Sequence, residues 1–272
     1  MLKLEKSKKA NAGEAVSVPK KEKKPKEPKA PKEKKPTGEM FKELVGKIIN
    51  PKEIKHSKRL LGFNNLKSMD EAYKHVRAYL LNNTKHEYCP VFAVVSSKKK
   101  DENTLTASNL AISFAQLGKK TLLIEANMRM PKVNQLFGLV AERGLSDVLS
   151  LSDTGILDLS GAAIPSGIDN LDIIPSGPIP KNPSELLASK SFEAMLEKAK
   201  TVYEVVVICL PPVCDYADAS AISDCITGYI FAVRSEKTNG REAKEAINKL
   251  KANGGNIIGT VLTNVSKLNS KV

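Results

Sequence analysis

The chain has 272 residues, of which 27% are charged, 41% hydrophobic and 5% aromatic, and its formal net charge is +13. That length allows one α/β domain of about 200 residues plus an appendage. No apolar run reaches the roughly 18 residues of a membrane-crossing helix, and the charged N-terminus has no apolar stretch of a secretion signal, so the expected location is the cytosol. The charge is uneven: residues 1–38 hold 13 lysines against five glutamates, which is +8 of the total. With no aromatic residue and a proline-lysine-glutamate repeat from Pro25 to Glu33, this stretch predicts an extended, disordered basic tail. Helices follow over Gly38–Ile49, ending before Pro51, and from Ser68 as N-cap to about Leu81. Strands are predicted near 91–95, 121–125, 171–174, 204–209, 228–233 and 257–261, and helices over 104–117, 131–137, 183–199, 217–225 and 241–252. This alternation specifies an α/β fold with a doubly wound, mostly parallel sheet, whose ligands bind beyond the carboxyl ends of the strands.

Three strand ends carry motifs that bear on chemistry. After Val91–Val95, a phosphate-binding loop would read G-x-G-K-[ST]. Counted back from Asn109, Lys100 and Glu102 stand at the glycine positions, Asn103 at the lysine, and Thr104 keeps the hydroxyl. Glycines let backbone amides wrap a phosphate at positive φ, which Lys100 and Glu102 adopt only at a cost. The loop lysine is a point cation for the β/γ-phosphates, and Asn103 has no charge to offer. Thr104 reads as the N-cap of the helix it opens, a helix end that attracts anions. The second strand ends in Glu125, Ala126, Asn127 and then Arg129. The third ends in Cys209, where a magnesium-binding aspartate is expected, and a thiol is a poor ligand for that hard cation. The remaining cysteines read as small buried thiols. Cys209, Cys214 and Cys225 match no metal-site spacing, and His56, His75 and His86, read as exposed, share none with cysteine or carboxylate, so no metal is expected.

These motifs, in their order, resemble the cytoplasmic bacterial tyrosine kinases of capsule and exopolysaccharide operons, relatives of the MinD/ParA P-loop ATPases. The resemblance covers roughly residues 65 to 267. It rests on Asn109–Ala111, Leu122–Pro131, Phe137–Leu139, Gly144–Leu149, Leu171–Gly177, Asn182–Ser189, Pro211–Val213 with Asp218 and Ala219, and Ile258–Asn264. It implies a P-loop NTPase-like kinase domain over 89–267, a helical assembly segment over 39–88 and a short C-terminal tail over 268–272. Of the family's active-site positions, the loop lysine is Asn103, the two second-element aspartates are Glu125 and Asn127, and the third-element aspartate is Cys209. Arg129 corresponds to the arginine that handles the phosphates and the phosphoacceptor. The family's C-terminal tyrosine cluster is missing, since the last tyrosine is Tyr229.

Departures at these positions imply a pseudokinase, a non-catalytic regulator of capsule or exopolysaccharide synthesis that needs no cofactor. The alternative is an active tyrosine autokinase using ATP and magnesium. A ParA-like positioning ATPase is a third reading, against which the Asn182–Leu187 segment argues. Glu71, Lys74 and Arg77 share a helix face that resembles the family's ring-assembly surface, with Lys74 in place of an arginine. The partners implied are a membrane-anchored polysaccharide co-polymerase, copies of the chain itself or an active kinase paralogue. The lysine tail suits the anionic inner membrane surface, where each lysine contributes roughly 1 kcal/mol. That makes the chain a cytoplasmic protein held peripherally at the membrane. Interrupting glutamates and the lack of aromatics weigh against nucleic acid.

Overall fold

In chain order the elements are α1 (Lys67–Asn83), β1 (Val91–Ser96), α2 (Asn103–Gln116), β2 (Thr121–Glu125), α3 (Val133–Phe137) and α4 (Leu145–Leu151). Then come β3 (Ile164–Pro165), β4 (Leu171–Ile174), α5 (Pro183–Leu187), α6 (Lys190–Lys200), β5 (Val205–Cys209), a 3-10 turn over Ser220–Cys225, β6 (Gly228–Arg234), α7 (Gly240–Ala252) and β7 (Ile257–Thr263). The computed structural model describes residues 59–61, 67–99, 102–141, 143–151, 159 and 161–265. The basic tail, the helix expected over Gly38–Ile49, His56, Lys100, Asp101 and the segment 268–272 lie outside the described residues.

β1, β2 and β5 are buried at every position. Continuous apolar runs of this kind belong to parallel strands covered on both faces. The sheet order is β3-β4-β2-β5-β1-β6-β7, parallel throughout except for the two-residue β3, which runs antiparallel to β4. Strand alternation divides the core. Val91, Ala93 and Val95 join Phe192, Met195 and Leu250 on one face. Phe92 and Val94 join Leu110 and Phe114 on the other, where the Phe92 and Phe114 rings stack with centroids 5.7 Å apart. At the far edge, the Tyr79 hydroxyl of α1 donates to the Ile258 carbonyl of β7 at 3.1 Å.

The parallel sheet follows the sequence expectation closely, and the helices less so. Ser68 does not cap α1, which already begins at Lys67. The helix expected over 183–199 is two helices. Ser189 ends the first and caps the second, its hydroxyl accepting from the Phe192 amide at 3.3 Å. The segment expected as a helix over 217–225 is only a 3-10 turn. α4 and β3 were not anticipated. The motifs at Gly144 and Gly177 have a packing cause. The Leu145 amide donates to the Pro175 carbonyl at 2.7 Å and the Ser146 amide to that of Ser176 at 2.9 Å. A Cβ on Gly144 would stand 2.1 Å from the Gly177 nitrogen, so the two backbones cross where no side chain fits.

Candidate functional site

β2, β5 and β1 lie side by side, and their register sets Cys209 beside both Glu125 and Val94. The three motif-bearing strand ends therefore meet in one crevice, as the topology requires.

Glu102 precedes α2 with φ 64° and ψ 28°, the left-handed conformation a phosphate loop needs from glycine. A non-glycine residue pays roughly 1–2 kcal/mol to stay there. Glu102 therefore gives the loop the backbone shape of a glycine at the expected cost, and neighbours hold it there. The Glu102 carbonyl accepts from the Thr106 amide at 2.9 Å and from its hydroxyl at 3.0 Å. Its carboxylate takes Arg59 Nη2 at 2.7 Å and lies 3.8 Å from Arg234 Nη1.

Asn103 is buried, and its side-chain amide donates to the Leu210 carbonyl just past β5. Thr104 is not the N-cap. It lies inside α2, and its hydroxyl oxygen receives the Cys209 thiol at 3.4 Å. Burial, reinforced by nearby Glu125, pushes the Cys209 thiol up to about 12 against a smaller lowering by Thr104. Cys209 is therefore a protonated thiol at neutral pH, neither a nucleophile nor a cation ligand. Asn109 fastens the segment before α1 to α2: its Oδ1 accepts from the Leu61 amide at 2.9 Å and its Nδ2 donates to the Arg59 carbonyl at 3.1 Å.

Glu125 is fully buried, and one carboxyl oxygen accepts from the Lys132 amide at 2.5 Å and the Val133 amide at 2.9 Å. It anchors the start of α3. Burial pushes its carboxyl up to about 7, although these two amides pull the other way. Asn127 is also turned to its own backbone, accepting from the Met130 amide at 3.3 Å. Arg129 forms a two-pronged pair with fully buried Asp218, Nε to Oδ2 at 3.1 Å and Nη2 to Oδ1 at 3.0 Å. Nη2 also donates to the Ser184 hydroxyl at 3.0 Å, that hydroxyl donates to Asp218, and the guanidinium rests 4.5 Å from the Tyr216 ring centroid. The bond to Asp218 holds the guanidinium even above its ordinary range.

On α1, Lys74 reaches Asp70 at 2.8 Å and Glu71 at 2.7 Å. Arg77 turns inward, donating to the Ser113 carbonyl and to its hydroxyl at 3.3 Å. His75 and His86 are exposed, Cys89 and Cys209 buried, and Cys214 and Cys225 partly so; all four cysteines are free. Among the described residues no three His, Cys, Asp or Glu side chains converge on a point that would hold a metal ion, and no helix is long and apolar enough to cross a membrane. A magnesium nucleotide fits the crevice poorly, because a thiol and an amide already bonded to its own backbone stand where oxygen anions would be needed. Tyr216, Arg59 and Arg234 escaped the sequence reading, and Ser184 and Asp218 entered it only as motif letters. Asp218 lies between Ala217 and Ala219, and a carboxylate in so apolar a setting was the one available sign of a buried partner.

No protein-family model matches the chain. It is 34% identical over 169 residues to the tyrosine-protein kinase YwqD of Bacillus subtilis, covering 62% of this chain and 70% of that protein. The chain belongs to the bacterial tyrosine-protein kinase family. A further relative of the family is the putative tyrosine-protein kinase CapB of Staphylococcus aureus, 28% identical over 195 residues, which are 72% of this chain and 84% of that one. The kinase domain of the Escherichia coli tyrosine kinase ETK superposes with a TM-score of 0.69 at 27% identity, over 75% of this chain and 78% of that domain. The septum site-determining protein MinD of Pyrococcus horikoshii shares the fold alone, with a TM-score of 0.53 at 18% identity over 66% of this chain and 72% of that one.

Proposed function

We propose that this chain is a non-catalytic member of the tyrosine-kinase family that regulates capsule or exopolysaccharide synthesis through binding. The observation that carries the reading is Asn103. At the position of the phosphate-gripping lysine it has a neutral amide, and that amide is bonded to the Leu210 carbonyl. The neighbouring positions agree. Cys209 is a neutral thiol bonded to Thr104, and Glu125 is bonded to the backbone at the start of α3. Asn103, Thr104 and Cys209 are thus bonded within the chain, and so is one carboxyl oxygen of Glu125, whereas its other oxygen is buried without a hydrogen-bond partner.

The partners in this reading are a membrane-anchored polysaccharide co-polymerase, an active kinase paralogue or further copies of the chain. The basic tail holds the protein peripherally on the anionic inner surface of the membrane. Of the assembly positions, Glu71 and Lys74 are paired with each other on α1, and Arg77 is bonded to Ser113, so each would exchange a partner within the chain to reach another subunit. One observation favours the rival reading of an active, ATP- and magnesium-using autokinase: Glu102 already has the left-handed backbone of a phosphate loop. The two separate on incubation of the full chain with labelled ATP and magnesium, with the cytoplasmic tail of the co-polymerase added. The non-catalytic reading expects no label on tyrosine, and stoichiometric label on tyrosine would end it.

A further inference from the structure

Six tyrosines occur in the chain, and all lie among the described residues. Five are engaged. Tyr73 is buried against Asn109 and Thr106. Tyr79 donates to the Ile258 carbonyl at 3.1 Å, and Tyr203 to Asp172 at 2.9 Å. Tyr229 is fully buried and donates to the Ala219 carbonyl. Tyr216 lies under the Arg129 guanidinium.

Tyr88 differs from all of them. It is 88% exposed, the most exposed large hydrophobic side chain of the described residues. It ends an exposed run of Lys85, His86, Glu87 and Tyr88 in the irregular connection between α1 and β1, just ahead of buried Cys89 and Pro90. That connection presents both the phenol and several residues of backbone to a second protein. It also lies at the N-terminal end of β1, whereas the crevice lies at the C-terminal end of the same six-residue strand. At about 3.3 Å per residue the two are about 20 Å apart, so the crevice of the same chain does not reach Tyr88.

We propose that Tyr88 is a phosphoacceptor, modified in trans by an ATP-dependent tyrosine kinase of the same family. This rests on the reading that the chain is a kinase partner and not itself the kinase. In the transfer the bond between the γ-phosphorus of ATP and its bridging oxygen breaks and ADP leaves. A new phosphorus–oxygen bond forms at the Tyr88 hydroxyl, whose proton passes to a base of the partner kinase. The phosphate adds a charge of about −1.5 to −2 on a ring that packs against little, so the fold stays intact while the surface gains a strongly anionic point. The modification therefore works as a docking mark for an arginine-bearing partner and not as an unfolding switch.

The test incubates the full chain with magnesium-ATP, alone and with the purified Bacillus subtilis tyrosine-protein kinase YwqD, and maps phosphotyrosine by mass spectrometry. With the kinase present, phosphate is expected on Tyr88, with loss of essentially all tyrosine label in Tyr88→Phe and unchanged label in Tyr79→Phe. Phosphate on a different tyrosine, undiminished label in Tyr88→Phe, or no label while the kinase phosphorylates itself would each overturn the assignment. Label on the chain incubated without the kinase would instead overturn the non-catalytic reading. Tyr88→Phe removes one solvent-facing hydroxyl, and an unchanged melting temperature verifies that its fold is retained.

Discussion

Replacing Glu125 with glutamine tests the crevice where its chemistry is most constrained. The carboxyl is buried between the ends of β2 and β5, its titration is raised from the ordinary 4.5 to about 7, and burial is the leading cause. At about 1.36 kcal/mol per pH unit, that difference corresponds to about 3 kcal/mol. The sign follows from the raised value: the folded protein favours the protonated carboxyl. The contribution is fully present below pH 4.5, falls as the pH rises towards 7, and is gone above it. Glu125→Gln stays neutral at every pH, and its amide oxygen can still accept from the Lys132 and Val133 amides. Urea denaturation of both proteins from about pH 4.5 to about pH 8 reads the difference directly, with all other titrating groups cancelling. The variant is expected to gain about 3 kcal/mol on the wild type across that range. Parallel stability curves for the two proteins would show that Glu125 titrates like an exposed carboxylate and would refute its burial as the cause.

Millimolar magnesium-ATP is expected to raise the melting temperature by less than about 2 °C, far short of the response to a tightly held ligand. A shift above about 5 °C would place an intact nucleotide pocket in the chain. Asn103→Lys alone is expected to leave that shift unchanged, because Cys209 still offers no oxygen to magnesium; a gain in nucleotide response would refute this. Arg129→Ala leaves the fully buried Asp218 without its cation and should cost about 3 kcal/mol in chemical denaturation, whereas a loss below about 1 kcal/mol would mark a surface ion pair. Removing residues 1–38 should leave the melting temperature nearly unchanged and abolish salt-sensitive binding to anionic vesicles, and equal vesicle binding by the truncated protein would reject the membrane role.

The sheet was legible because β1, β2 and β5 each contain an uninterrupted apolar run, a signal that survives without any knowledge of neighbours. The helix over 183–199 was misread as one piece because its residues keep helical periodicity across Ala188. Only the Ser189 side chain, acting as a cap, divides it. The crevice was legible as a set of positions but not as a set of bonds. That Asn103 would meet Leu210, or Arg129 would meet Asp218 and Ser184, depends on pairings 107, 89 and 55 residues apart. At Glu102 the cost of the left-handed conformation was legible, but not that the residue adopts it. Propensity prices left-handed backbone at a single residue, whereas the Thr106 bonds and the arginines beside it are supplied by the fold.

The two borders of the sheet bear on how this protein behaves when crowded. A bare strand at the margin of a sheet recruits other strands, and long flat margins are where proteins aggregate. Here one margin is only two residues long and includes Pro165, which has no amide to give. The other, β7, has the carbonyl of its second residue occupied by the Tyr79 phenol. Among the described residues, the β3 border is too short to template a partner strand, and the row along β7 is interrupted near its start at Ile258. Strand addition at the β3 margin would therefore have almost no ladder to extend, and at β7 it would have to displace the Tyr79 phenol.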